Sequence, residues 1–245
     1  PIYILYSSGT TGAPKCIVHG AGNSLIEQKK ELSIHCDIKE NDKVFYFTTT
    51  GWMMWNWQIA SLSCGASIYL YDGSPFYPKI NVLIEYCSKN NITLFGVGAK
   101  YIDHLKNEKF NASKFNLNSL KTITSTGSPL VSESFEYVYK YIKEDVHLSS
   151  ISGGTDVVGC LVIGNIFQPV YAGEIQGASL GIEIDIFDDD GNSISNNEKG
   201  ELVVKKPFPS MPVKFWNDLD EVKIKSAYFE RYNNIWHHAD YIQKT

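Results

Sequence analysis

Arginine is almost missing from this chain: Arg231 is the only one among 245 residues. Binding of an anionic ligand therefore falls to backbone N–H groups, hydroxyls, lysine or a metal rather than to bidentate guanidinium forks. No run of about 18 apolar residues reads as a membrane span, and the start carries no basic-then-apolar leader. No cysteine pair has C-x-x-C spacing. Cys16, Cys36, Cys64, Cys87 and Cys160 are scattered and odd in number, which reads as free core thiols in a reducing compartment, the cytoplasm. No His/Cys metal spacing, internal repeat or low-complexity linker occurs. Positive charge is in deficit, with Lys plus Arg at 22 against Asp plus Glu at 27. The net charge of −5 argues against nucleic acid or an anionic membrane as the main partner. What remains is an ordinary globular composition, 43% hydrophobic and 20% charged, long enough for one large domain or two small ones.

The first two-thirds alternate strand and helix signals. Strands are expected at 43–48, 66–71, 93–97, 120–124 and 146–151, and helices at 21–35, 52–62, 79–89, 101–106 and 131–142. Strands separated by helices imply right-handed βαβ units and a largely parallel sheet, an α/β fold. After about Gly164 helical periodicity fades, and 180–187, 188–191 and 200–205 read as strand, turn, strand. The expected organisation is an α/β part over 1–164 followed by a smaller β-rich subdomain over 165–245. The chain starts inside a strand and stops without a capped terminus, which suggests a fragment.

The most specific segment is LYSSGTTGAPK, Leu5 to Lys15. Ile2 to Tyr6 is apolar and β-prone, so a loop leaves a strand end. Gly9 and Gly12 let backbone N–H groups approach an anion. Ser7, Ser8, Thr10 and Thr11 add hydroxyls and Lys15 adds charge, together a cradle for phosphate. It is not the P-loop of the NTPases, which ends Gly-Lys-Ser/Thr; here Ala13 and Pro14 precede the lysine. Ser152 to Asp156 reads SGGTD after a strand, where open α/β sheets bind ligands. Thr155 offers a hydroxyl and Asp156 a hard oxygen suited to Mg²⁺, although an ordinary Gly-rich turn has the same look. STGSP at 125–129 also follows a strand and doubles as a helix N-terminal turn, with Ser128 or Ser132 as cap. TTTGWMMWNW at 48–57 is either a core helix or a pocket wall. IWHHAD at 235–240 places His237 and His238 side by side, on opposite faces if the segment is a strand.

The order Ser-Gly-Thr-Thr-Gly-x-Pro-Lys resembles the phosphate loop of the adenylate-forming enzymes, which include acyl-CoA synthetases, luciferases and peptide-synthetase adenylation domains. SGGTD resembles that family's aromatic-Gly-x-Thr-Glu motif, with Asp156 for the glutamate and Ser152 for the aromatic residue. Together with YDGSP (71–75), GEIQG (173–177) and PFPSMP (207–212), the TTTGWMMWNW segment narrows the resemblance to the acetoacetyl-CoA synthetase branch.

The resemblance implies ATP-dependent activation of acetoacetate as an acyl-adenylate, then transfer to coenzyme A, with Mg²⁺ as cofactor. It implies Lys15, Thr155 and Asp156 as catalytic residues, with Asp156 linked to the metal. Ser7, Ser8, Gly9, Thr10, Thr11 and Gly12 would hold phosphate, Gly127, Ser128, Pro129, Ser152, Gly154 and Thr155 the rest of ATP or AMP, and Asp240 the ribose hydroxyls. Around Asp240, Ala239 replaces the family's usual glycine and His238 its usual threonine. Trp52, Met53, Met54, Thr126 and Gly153 would line the acyl pocket. Gly153 stands where acetyl-CoA synthetases carry a tryptophan, which opens room for a longer acid, and the Thr126 hydroxyl is placed to bond a 3-keto oxygen. The family's N-terminal part and its C-terminal domain with a catalytic lysine fall outside the sequence, so the segment is expected to be inactive alone. A ligase for another short acid, and a non-catalytic remnant that holds a nucleotide or acyl-adenylate, are the alternatives.

Overall fold

The computed structural model describes residues 1–7 and 14–245. In chain order the strands and α-helices are β1 (Tyr3–Ser7), β2 (Lys15–His19), α1 (Ala21–Lys30), β3 (Lys43–Tyr46), α2 (Met53–Ala60), β4 (Ser67–Tyr69), α3 (Val82–Asn90), β5 (Leu94–Gly98), α4 (Ala99–Asn107), β6 (Thr122–Thr126), α5 (Ser132–Tyr137), β7 (His147–Ser150), β8 (Ser152–Gly154), β9 (Gly159–Ile163), β10 (Gly177–Ala178), β11 (Ile184–Phe187), β12 (Lys199–Val204), β13 (Lys214–Phe215), α6 (Val222–Phe229) and β14 (Trp236–Gln243). They divide between two compact units. One, here the parallel unit, is Gln28–Gly154 with Val162–Gly177; the other, the antiparallel unit, is Pro1–Glu27, Thr155–Leu161 and Ala178–Thr245.

The parallel unit is built on a five-stranded sheet of order β4-β3-β5-β6-β7, every pairing parallel. That is the βαβ architecture the alternation of periods predicts. Its strands other than β4 are buried on both faces, as parallel sheets require: Val44, Phe45, Leu94, Phe95, Val97, Ile123 and Leu148 are all buried, together with the polar Thr122, Thr124 and Ser125 of β6. Helix α3 presents Leu83, Ile84 and Cys87 to this core and stops at Asn91, whose left-handed backbone suits asparagine. Helix α1 runs on into π-helical Glu31–His35, and Trp57 Nε1 donates to Glu31 Oε2 at 2.7 Å inside the unit. The middle strand needs glycine at one point. Tyr46 lies across Gly96, and a Cβ there would fall 2.0 Å from its ring. Behind β7, the Gln176 side chain gathers a loop. Its amide nitrogen donates to the carbonyls of Asn165 and Gln168, each at 2.8 Å, and of Pro169 at 3.3 Å. Its oxygen accepts from Asn165 N–H at 2.9 Å and His147 Nε2–H at 2.8 Å.

The antiparallel unit holds two three-stranded sheets, β1-β2-β13 and β11-β12-β14. The strand expected at Ile2 to Tyr6 is β1, which pairs antiparallel with β2 so that Ser7 stands opposite Lys15. β11 and β12 form the strand–turn–strand of the tail. Helix α6 is a departure from the expected loss of helix in this region. Asp218 accepts the backbone N–H groups of Lys223 and Ile224 and so satisfies the first turn. Ile17, Val157, Leu161, Leu202, Val204, Phe208, Phe215, Tyr228 and Trp236 make the core.

Candidate active site

In the antiparallel unit the sequence-predicted charges meet. Lys15 begins β2, and its Nζ lies 2.7 Å from Asp156 Oδ1. Both side chains are largely shielded, 29% and 16% exposed, so the pair is screened less than a surface bridge. Tyr228 of α6 donates its hydroxyl to the same Oδ1 and puts its ring under Lys15, Nζ to centroid 4.7 Å. Burial opposes the charge on Asp156, but the hydrogen bonds from Lys15 and Tyr228 and the lysine charge outweigh it and hold the carboxyl below its ordinary range. Burial, then the adjacent carboxylate, pushes the Tyr228 phenol up, so it stays a donor. His19 Nε2–H donates to the Thr155 carbonyl at 2.8 Å and fixes the backbone next to Asp156; burial keeps this ring neutral.

Asp240 lies on β14, with its side chain 48% exposed. The strand bulges here, since the register against β12 shifts between Glu201 and Val203, and Ala239 takes a left-handed φ of 68°. His237 pairs with Glu201 at 3.0 Å while His238 lies 3.6 Å from Asp240. The two histidines thus serve different partners, as opposite faces require. Among the described residues no three His, Cys, Asp or Glu side chains converge on a metal site. Asp156 alone still fits magnesium as this ion is usually held, by one or two carboxylates plus substrate phosphates. Among the described residues its hydrogen-bond donors meet Oδ1, leaving Oδ2 to a cation. Ser7 closes β1 opposite Lys15; Ser8, Gly9, Thr10, Thr11 and Gly12 lie outside the described residues.

In the parallel unit the expected acyl and adenine residues cluster at the C-terminal strand ends. Gly127, at φ 83°, follows β6, and a Cβ on it would lie 3.7 Å from Trp52 Cζ2. Trp52 caps α2, whose Met53 and Met54 are buried. Ser128 is half-buried and Pro129 exposed beside Gly127. Neither Ser128 nor Ser132 caps α5; Val131 holds that position, and Ser132 Oγ donates to the Ala172 carbonyl at 3.2 Å. Ser152, Gly153 and Gly154 form β8, all half-buried. The Thr126 hydroxyl donates to the Ile151 carbonyl at 3.1 Å. Its single proton is therefore committed, and a keto oxygen, itself an acceptor, competes with Ile151 for it.

Tyr228 and His19 are participants the sequence reading passed over. His19 was within reach of the alternation rule, since Lys15, Ile17 and His19 share one face of β2. Tyr228 carries no local signal, because nothing in its neighbourhood marks a partner 72 residues upstream.

A family model described as AMP-binding enzyme matches residues 1–211. Acetoacetyl-coenzyme A synthetase of Rhizobium meliloti is 52% identical over 246 residues, covering 100% of this chain and 38% of the relative. Acetoacetyl-CoA synthetase of Gallus gallus is 49% identical, covering 98% of this chain and 36% of the relative. Among solved structures, acetoacetyl-CoA synthetase from Streptomyces lividans superposes with a TM-score of 0.92 at 39% identity, covering 98% of this chain and 38% of that one. The chain thus spans a little over a third of the length of the relatives it matches. With a match over residues 1–211, this chain belongs to the AMP-binding enzyme family.

Proposed function

We propose that this chain is part of an ATP-dependent acid–CoA ligase that acts on acetoacetate. Identity of 52% to an acetoacetyl-coenzyme A synthetase across the whole chain carries the reading, and the Lys15–Asp156–Tyr228 cluster supports it. In the first step a carboxylate oxygen of the acid attacks the α-phosphorus of ATP. The bond to the bridging oxygen breaks, pyrophosphate leaves, and an acyl-adenylate remains. In the second, the thiol of coenzyme A loses its proton and attacks the acyl carbon, and AMP departs.

The residues have electrostatic roles. Lys15 holds negative charge on the phosphates, with Ser7, Ser8, Gly9, Thr10, Thr11 and Gly12 supplying donors. Asp156 would hold magnesium, which when bound supplies positive charge to the departing pyrophosphate. Thr155 contacts the α-phosphate; Gly127, Ser128, Pro129, Ser152 and Gly154 contact the adenine side; Asp240 accepts the ribose hydroxyls. Trp52, Met53, Met54, Thr126 and Gly153 bound the acid. The free cysteines fit a reducing compartment such as the cytoplasm, and no helix among the described residues is long and apolar enough to cross a membrane.

One observation favours a second reading, a ligase for another short acid: the Thr126 proton is already given to Ile151. Thioester formation with acetoacetate, acetate and butyrate separates the two, using the protein that carries this chain at the full length of its reading frame. Acetoacetate is expected to give the highest kcat/KM. Gly153→Trp should cut activity on acetoacetate far more than on acetate, because the indole fills the space of the terminal acetyl group. Equal loss on both acids would remove Gly153 from selectivity, and a wild-type preference for butyrate would replace acetoacetate as substrate.

A further inference from the structure

His238 stands two residues after Trp236 on β14, and the two rings are joined: Trp236 Nε1 lies 3.3 Å from His238 Nδ1. An indole N–H can only donate. Nδ1 is therefore the acceptor, and the one ring proton of the neutral imidazole sits on Nε2. Trp236 is itself buried, 2% exposed, and stacked on Tyr228 with centroids 3.7 Å apart and an interplanar angle of 14°. The His238 side chain is only 6% exposed, and its Nε2 faces Asp240 Oδ2 at 3.6 Å. Asp240, at 48%, is far freer. The donor is fixed while the acceptor can close on it. Burial also favours the neutral ring, and a neutral donor can orient a carboxylate without cancelling its charge.

We propose that His238 is a positioning residue: its Nε2–H, locked in that tautomer by Trp236, holds one oxygen of Asp240 and turns the carboxylate toward the vicinal hydroxyls of the nucleotide ribose. This rests on the reading of Asp240 as the ribose acceptor. It assigns the histidine that replaces the family's usual threonine a task of its own. Trp236 then serves both ends of the cluster, through Tyr228 to Asp156 and through His238 to Asp240.

The test compares ATP with 2′-deoxy-ATP and 3′-deoxy-ATP in pyrophosphate exchange, in the full reading-frame protein and its variants. Melting curves confirm that each variant is folded. Asp240→Ala should abolish the preference for ATP. His238→Ala should reduce that preference about tenfold, the scale of one hydrogen bond to a charged group, with the loss falling on KM for ATP more than on kcat. His238→Gln, which restores an N–H at similar reach, should recover most of it. Trp236→Phe, which keeps a ring against Tyr228 but frees Nδ1, should give an intermediate loss. Full ribose preference in His238→Ala alongside its loss in Asp240→Ala would overturn the positioning role. Full preference in Asp240→Ala would instead overturn the ribose reading itself, and the role of His238 with it.

Discussion

The two units solve different problems with different materials. The parallel unit is contiguous but for one excursion, and an apolar aromatic core carries it: Phe45 stacks on Phe95 at 5.5 Å between centroids and meets Tyr86 at 4.9 Å. Its candidate ligand residues are mostly groups that shape space, glycines, methionines, a proline and a tryptophan, joined by the hydroxyls of Thr126, Ser128 and Ser152. The antiparallel unit is assembled from three separated stretches of chain. Its charged candidates, Lys15, Asp156 and Asp240, each face a named partner, as Lys15 does Asp156 and Tyr228. Shape can be built from local periodicity. A shielded charge needs a partner brought from far along the chain, because an unpaired one is costly to bury.

The largest effect that probes this contrast is Phe45→Ala. Emptying that ring site should cost about 3–5 kcal/mol, read by urea unfolding. Amide exchange should then show protection falling first in the parallel unit. Equal and simultaneous loss in both would make them one cooperative body and erase the distinction. Next, Lys15→Ala should lower pyrophosphate exchange at least about tenfold, or about 1.4 kcal/mol of transition-state stabilisation, and should lower the melting temperature too, because the shielded Asp156 loses its charge partner. Wild-type exchange would take the charge cluster out of the reaction.

Ala239→Gly should act in the opposite direction. Ala239 carries a left-handed φ of 68°, which costs an L-residue about 1 kcal/mol relative to glycine, so the urea midpoint should rise. A midpoint that stays or falls would mean the bulge is relaxed with alanine in place.

The smallest effect is in pH. Burial depresses the pKa of His147 below the ordinary imidazole value of about 6.5. Between the folded value and 6.5 the unfolded chain binds more protons, so stability falls as pH drops through that window. His19 and His238 of the antiparallel unit are depressed in the same way. His147→Gln should therefore flatten only part of the slope on the acid side of about pH 6.5; an unchanged slope would place the effect wholly in the other unit.

The same contrast explains what could be read from the sequence. The βαβ order was legible because strand signals such as the apolar runs of β3 and β5 alternate with stretches of helical spacing. Most of the candidate residues were legible through their motifs. What could not be read was pairing across distance. β13 joins β2 through Lys214 opposite Val18, and no local pattern announces it. Tyr228 escaped for the same reason, and α6 was missed because its first turn is satisfied by Asp218, a residue four places before the helix begins. The Thr126 hydroxyl shows the converse limit. Its chemistry suits a keto group, but the carbonyl that takes its proton belongs to Ile151, 25 residues on.

Gln176 gives the parallel unit a chemical clock. Its amide nitrogen faces three carbonyl oxygens, those of Asn165, Gln168 and Pro169. Hydrolysis of that amide to a carboxylate, the slow damage that glutamine suffers in any old protein, would keep the size and shape of the side chain. It would also replace the one donor with an acceptor, so that lone pairs confront lone pairs at the three carbonyls, while the other oxygen still accepts from Asn165 N–H and His147. The nearly isosteric lesion still does harm of its own: a methionine there forfeits the hydrogen bonds, whereas a glutamate turns those of the amide nitrogen into repulsions. The loop from Asn165 to Gln176 would loosen with that change.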